Sequence, residues 1–72
     1  MEELDCLHRP CPVPILEISK KMKSLKVGDQ LLVKATDLGF KLDLDAWARV
    51  SGNLILSFKQ EGDAFIALLQ KK

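Results

Sequence analysis

One cysteine in this sequence stands where it could act as a nucleophile. Cys11 lies within Pro10-Cys11-Pro12-Val13-Pro14, where a loop gives way to an amphipathic run. Pro12 disfavours α dihedrals for Cys11 and biases it toward the extended conformation that a helix N-cap needs. Pro12 itself suits the first helical position, where a missing N–H costs nothing. Pro14 falls among the first-turn residues whose N–H groups have no helical acceptor, and it restricts Val13. The donors left to face the sulfur are those of Val13 and Ile15. A helix N-terminus carries partial positive charge and, like a nearby cation, lowers a thiol's pKa. Arg9 and His8, just upstream, would add to that field. A rigid, electropositive, loop-borne cysteine suits a nucleophile or a sulfur carrier. The bland alternative is a small buried residue in a tight turn.

Cys6 is the second thiol. Its place in a short apolar-alternating segment points to core packing, with a resolving role toward Cys11 as the other reading. Cys6, His8 and Cys11 also form a C-x-H-x2-C array. Structural zinc wants four ligands, usually as two separated pairs, so the expectation is no metal and no cofactor. One histidine leaves little room for protease-like chemistry. The glycines are scattered at turns, which makes no phosphate-cradling loop. Asp37, Asp43 and Asp45 surround the start of the second helix and read as caps or solvent-facing groups.

Residues 1 to 7 predict a first strand with Leu4 and Cys6 on one face. Ile15, Ile18, Met22 and Leu25 then recur at helical spacing, with Glu17, Lys20, Lys21 and Lys23 on the polar sides. Gly28 would end this helix. Gln30 to Thr36 reads as a mostly buried strand. A second helix carries Phe40, Leu44, Trp47 and Ala48 on one side, with Asp37 or Asp43 as its cap and Gly52 as its end. Leu54 to Lys59 alternates, with Leu54, Leu56 and Phe58 predicted inward and Ile55 on the open face. Gln60 to Asp63 is a turn, and Ala64 to Gln70 a final strand apolar on both faces. The order βαβαββ implies crossovers followed by a hairpin. The expected fold is an α/β (α+β) two-layer sandwich: a four-stranded mixed sheet with two helices on one face. Its open face leaves room for a homodimer contact.

Length and charge bound the rest. Seventy-two residues make one small domain, 1–72, which buries only ~60% of its unfolded surface and cannot enclose a large cavity. Eleven basic against ten acidic residues argue against a general nucleic-acid binder. Lys20, Lys21, Lys23 and Lys26 still form a local basic face, either solvated or suited to an acidic partner. Two cysteines are too few for a stapled secreted miniprotein. No apolar run approaches the ~20 residues of a membrane span, and Met1-Glu2-Glu3 does not open a signal peptide. The expectation is a cytoplasmic protein with reduced thiols.

The sequence resembles the TusA/SirA-type sulfur-carrier family. The matching residues are Leu4-Asp5-Cys6, Cys11-Pro12-Val13-Pro14-Ile15-Leu16, Lys20-Lys21, Val27-Gly28-Asp29 and Ala35-Thr36-Asp37. Gly39, Asp43, Ala46-Trp47-Ala48 and Ser51-Gly52-Asn53 continue the pattern in order, so the likeness covers essentially the whole chain. It departs in three places. Leu7-His8-Arg9-Pro10 replaces an Arg/Lys-Gly-Leu segment, Leu38 replaces a proline, and Asp43-Leu44-Asp45 replaces an Asp-Ile-Pro helix start.

The resemblance implies a two-layer α/β fold and a persulfide on Cys11; the reading of the residues adds Arg9, His8, Pro12, Val13, Pro14 and Ile15 as its supports. It implies a stoichiometric carrier rather than a turnover enzyme. The implied partners are a sulfur donor protein (desulfurase or rhodanese-like) and an acceptor sulfurtransferase. The family's roles include tRNA thiolation, sulfur oxidation and thiosulfate use, and some members are linked to selenium. A regulatory interaction module, or a thiol-redox protein cycling Cys6 and Cys11, are the competing classes.

Overall fold

The structure, a computed structural model, describes residues 2–9 and 13–72. Its elements follow the expected order: β1 (Glu2–Cys6), α1 (Val13–Lys23), β2 (Gln30–Ala35), α2 (Phe40–Ser51), β3 (Leu54–Glu61) and β4 (Ala64–Gln70). The strands form one mixed sheet in the order β1-β2-β4-β3. β1 and β2 are parallel, joined by α1 as their crossover, whereas β4 runs antiparallel to both β2 and β3.

Register decides which face is covered. Cys6 stands opposite Ala35 and Ala35 opposite Phe65; Leu4, Val33 and Ala67 make the next row, then Leu31 and Leu69. Side chains alternate between faces along a strand, so these residues share one side. Ile18, Met22, Leu25, Phe40 and Leu44 pack onto that side in a single core. Pro14 is also fully buried. Both helices therefore cover the same face. Burying each large aliphatic side chain contributes about 1.5–3 kcal/mol, and with so few of them every one matters. The opposite face carries Leu32, Ile66 and Leu68, half-buried. β4 is apolar on both sides, as its sequence indicated.

Three local expectations are corrected. β3 does not alternate through its whole length, because the register shifts between Ile55 and Ser57. A bulge adds one residue and flips the faces beyond it. Ile55 and Phe58 consequently pack toward the core, while Leu54 and Leu56 are 39% and 43% exposed. Phe58 is fixed there by Phe40 and Phe65, at centroid distances of 6.1 and 5.8 Å.

α1 ends at Lys23, well before Gly28. Gly28, at φ 93°, instead turns the chain between Lys26 and Asp29, where the Asp29 N–H donates to the Lys26 carbonyl. α2 begins at Phe40, so Asp43 lies within its first turn and is not its N-cap. Asp37 does the starting: its carboxylate accepts the Gly39 N–H at 2.9 Å and its carbonyl accepts that of Phe40 at 3.1 Å. Gly52, at φ 78°, closes α2 as expected.

Candidate functional site

The segment leaving β1 is a pinned turn. The last rung of the parallel ladder is Cys6 opposite Ala35. Beyond it the Leu7 N–H donates to Asp5 Oδ1 at 2.9 Å, and the Arg9 N–H to the Cys6 carbonyl at 3.3 Å. Between them His8 adopts φ 62°, a left-handed conformation uncommon outside glycine. Its N–H donates to Thr36 Oγ1 at 2.8 Å. The side chains of His8 and Arg9 are exposed.

Pro10, Cys11 and Pro12 lie outside the described residues, and so do the expectations that Cys11 caps α1 and Pro12 opens it. The description resumes at Val13, the first residue of α1. The helix's first turn is Val13, Pro14, Ile15 and Leu16, with no acidic residue in it. First-turn N–H groups have no partner within the helix, and the dipole there favours an anion. Pro14 does more than shape this turn: its ring is part of the buried interior, a role that helix-start rules did not reveal. Leu16 is 57% exposed on the outer side.

Cys6 is a different kind of thiol. It is wholly buried in the core, and burial pushes its pKa up, with Glu17 adding to the rise and Arg9 opposing it. A neutral, packed thiol is a poor nucleophile. Among the described residues no group of three or more His, Cys, Asp or Glu could hold a metal ion. Cys11, a member of the C-x-H-x2-C array, is not among them.

Beside the first turns of α1 runs an open groove of about 460 Å³, lined by Ile15, Ser19, Asp43, Ala46, Trp47 and Val50. Val50 is 88% exposed at its rim. Asp45 is paired with Lys41 at 2.9 Å, which bears out the reading of that carboxylate as a surface group. In the basic run Lys20, Lys23 and Lys26 are exposed, while Lys21 reaches Glu2 at 2.6 Å.

Sequence reasoning missed two residues that organise this region. Thr36 holds the turn after β1. Lys71 donates from its ammonium to the Met22 and Leu25 carbonyls, at 2.8 and 2.7 Å, and so finishes α1. Neither has a local signal, since each acts on a segment distant in the chain.

A small mixed sheet with two helices on one face, and a Cys-Pro segment leading from the first strand into the first helix, defines a class of compact α/β proteins. The chain belongs to the TusA family: the model of "Sulfurtransferase TusA" matches residues 2–71. It is 40% identical over 70 residues to the sulfur carrier protein TusA of Allochromatium vinosum, covering 97% of this chain and 92% of that one. It is 41% identical over 68 residues to YrkF of Bacillus subtilis, covering 94% of this chain but only 37% of that longer protein. A crystal structure of a SirA-like protein from Desulfitobacterium hafniense superimposes with a TM-score of 0.85, covering 97% of this chain and 96% of the other. At 18% identity that likeness speaks for the fold alone. Among the described residues no helix is long and apolar enough to cross a membrane.

Proposed function

We propose that the protein is a cytoplasmic sulfur carrier whose single domain holds sulfane sulfur as a persulfide on Cys11. The observation that carries this reading is the family match across residues 2–71, which includes the Cys11-Pro12-Val13-Pro14 motif. The Cys11 thiolate attacks the outer sulfur of a persulfide on a donor protein, a desulfurase or rhodanese-like enzyme. The donor's S–S bond breaks, its cysteine leaves as a thiolate, and no oxidant is needed. An acceptor sulfurtransferase's thiolate then attacks the outer sulfur on Cys11, which departs as a thiolate in turn. The acid-free first turn of α1 and the exposed Arg9 favour the anionic forms. In this reading Val13, Pro14 and Ile15 form the helix start, and Pro12 and the exposed His8 support the carrier cysteine. The carrier acts stoichiometrically, so it needs no deep pocket.

The test is intact mass spectrometry after incubation with a desulfurase and cysteine, or with thiosulfate or polysulfide. The expected result is a reducible gain of one sulfur on the wild type and none on Cys11→Ser. No adduct with any donor refutes the reading. Cys6→Ser should still load, because Cys6 is buried; equal loss in both variants would favour a Cys6–Cys11 redox couple instead. Partner binding that survives Cys11→Ser while no sulfur is ever carried would favour an interaction module.

A further inference from the structure

We propose that the open face of the sheet is the contact surface for a second copy of this chain, packed face to face about a twofold axis that runs along the strands. Register sets out what that face carries. One row across the sheet reads Asp5 on β1, Lys34 on β2, Ile66 on β4 and Lys59 on β3. The neighbouring row reads Glu3, Leu32, Leu68 and Ser57. Side chains alternate along a strand, and Val33, Ala35, Ala67 and Leu69 belong to the helix-covered core, so both rows face the other way. The middle of this face is apolar, with Leu32, Ile66 and Leu68 half-buried. Acids stand on its β1 edge and a lysine on its β3 edge. Leu54, opposite Gln70 and 39% exposed, extends the apolar strip.

That layout matches its own rotated copy. The strand order is β1-β2-β4-β3, so a twofold axis parallel to the strands lays β1 of one copy over β3 of the other. Asp5 and Lys59 share a row, and each Asp5 then meets Lys59 of the other copy, twice over. The apolar middles meet between the two pairs. Packed sheets lie about 10 Å apart with strands within about 30°, a gap that an aspartate and an extended lysine bridge. An axis across the strands would instead set acids over acids and Lys59 over Lys59, so charge selects the first packing. Lys34 lies over the apolar middle, where its stem adds cover while its charge stays beside Asp5. Lys59 already meets Glu61 at 3.2 Å, but that pair is exposed and worth little. Asp5 Oδ1 accepts the Leu7 N–H, which leaves the carboxylate its charge. The face measures only about 20 by 20 Å, below the roughly 800 Å² per partner of a standard interface. Association should therefore be reversible, with a midpoint at about 10–100 μM. Both helices lie on the far side of the sheet, so the start of α1 stays uncovered in such a pair.

The test is sedimentation equilibrium of the whole chain, with reductant present to exclude disulfide-linked pairs, from about 1 μM to about 1 mM. The expected mass rises from the 8.1 kDa of one chain to twice that value. Lys59→Glu alone and Asp5→Lys alone should each weaken pairing by about 10-fold or more, because each sets like charges opposite one another at two places. Mixed together, the two variants regain two opposite-charge pairs and should form a mixed dimer about as tight as the wild type. Circular dichroism checks that each variant is folded. A wild type that stays at the mass of one chain throughout overturns the proposal and leaves the face to solvent or to a different protein. A dimer indifferent to Lys59→Glu overturns it, as do two folded variants that fail to pair when mixed. Growth beyond two chains overturns it as well, since a twofold contact is closed. Asp5→Lys also removes the acceptor of the Leu7 N–H. Should that variant not fold, the exposed Lys59→Glu decides alone: weakened pairing supports the proposal and unchanged pairing overturns it.

Discussion

α1 and α2 cover the same face of one sheet, yet their ends are built on different plans. α2 is finished by its own neighbourhood. Asp37 accepts the Gly39 and Phe40 N–H groups just before it, and Gly52 returns its N–H to the Ala48 carbonyl at 2.9 Å just after it. α1 borrows. Ser24 Oγ donates locally to the Lys21 carbonyl, but the Met22 and Leu25 carbonyls are taken by the ammonium of Lys71, beyond the last strand. Lys71 is itself held by backbone bonds with Gly28 and Asp29. The Ser24 and Leu25 N–H groups also close the helix locally on the Lys21 and Met22 carbonyls, at 3.0 and 3.1 Å, but its charged cap arrives only when the end of the chain has docked. The first turns differ too: α2 carries Asp43 and α1 no acid.

The comparison breaks most visibly if the helices do not share one core. Ile18→Ala in α1 and Leu44→Ala in α2 each empty a fully buried site. Each should cost about 2–5 kcal/mol, as large-to-small core changes do. In a chain this short, with total stability of only about 4–10 kcal/mol, either variant should be largely unfolded on warming. Urea denaturation followed by circular dichroism measures both. A loss confined to one variant would show that the other helix is only loosely attached.

Next in size is the borrowed cap. Lys71→Met keeps the aliphatic stem but leaves the Met22 and Leu25 carbonyls without their charged donor. The expected loss is about 1–3 kcal/mol, since hydrogen bonds to charged groups at a helix C-terminus exceed neutral ones. Hydrogen exchange should quicken in the last turn of α1 and leave α2 unchanged. Exchange quickening equally in both helices would remove the distinction between them. The local cap gives the contrasting figure. Gly52→Ala forces a Cβ into a left-handed conformation at φ 78°, with nothing nearby for that Cβ to strike, and should cost about 1–2 kcal/mol of backbone strain alone. Its exchange signature belongs at the end of α2.

The two plans also explain what the sequence revealed. Element order, the shared face and the Gly52 cap follow from apolar period and local breaker chemistry, which neighbouring residues decide. α1 ends before the expected Gly28, on local bonds at Ser24 and Leu25 and on the Lys71 ammonium; the latter lies 49 residues from Met22, and no local pattern announces such a partner. Phe58 packs inward as expected, but the faces of Leu54, Ile55 and Leu56 are the reverse of the expected ones for a related reason. The register shifts between Ile55 and Ser57, and beyond it Phe58 packs against Phe40 and Phe65 from other elements, contacts that local alternation does not announce. The start of α2 was blurred by too many candidates, since Asp37 and Asp43 both look like caps. At the site the Cys-Pro motif was legible at once. Thr36 was not, because its partner His8 becomes a neighbour only once β1 and β2 pair in parallel.

The smallest expected effect tests whether α1's remaining long-range tie is ionic. Within α2, Lys41 and Asp45 pair one turn apart on the same helix. Lys21 of α1 instead reaches Glu2 at the start of β1, and chiefly by hydrogen bonding to that carboxylate holds its pKa below the ordinary glutamate value. A carboxylate with a depressed folded-state pKa contributes stability above its unfolded pKa, and that contribution is lost as pH falls through the folded one. Glu2→Gln should therefore melt slightly below the wild type at neutral pH and coincide with it in acid. Because the pair is exposed, the neutral-pH difference should also shrink as salt is raised. Melting curves at two pH values and two ionic strengths suffice. A difference that persists unchanged in acid and in salt would mean that Glu2 holds α1 by packing rather than by charge, leaving Lys71 as the charged long-range tie of that helix.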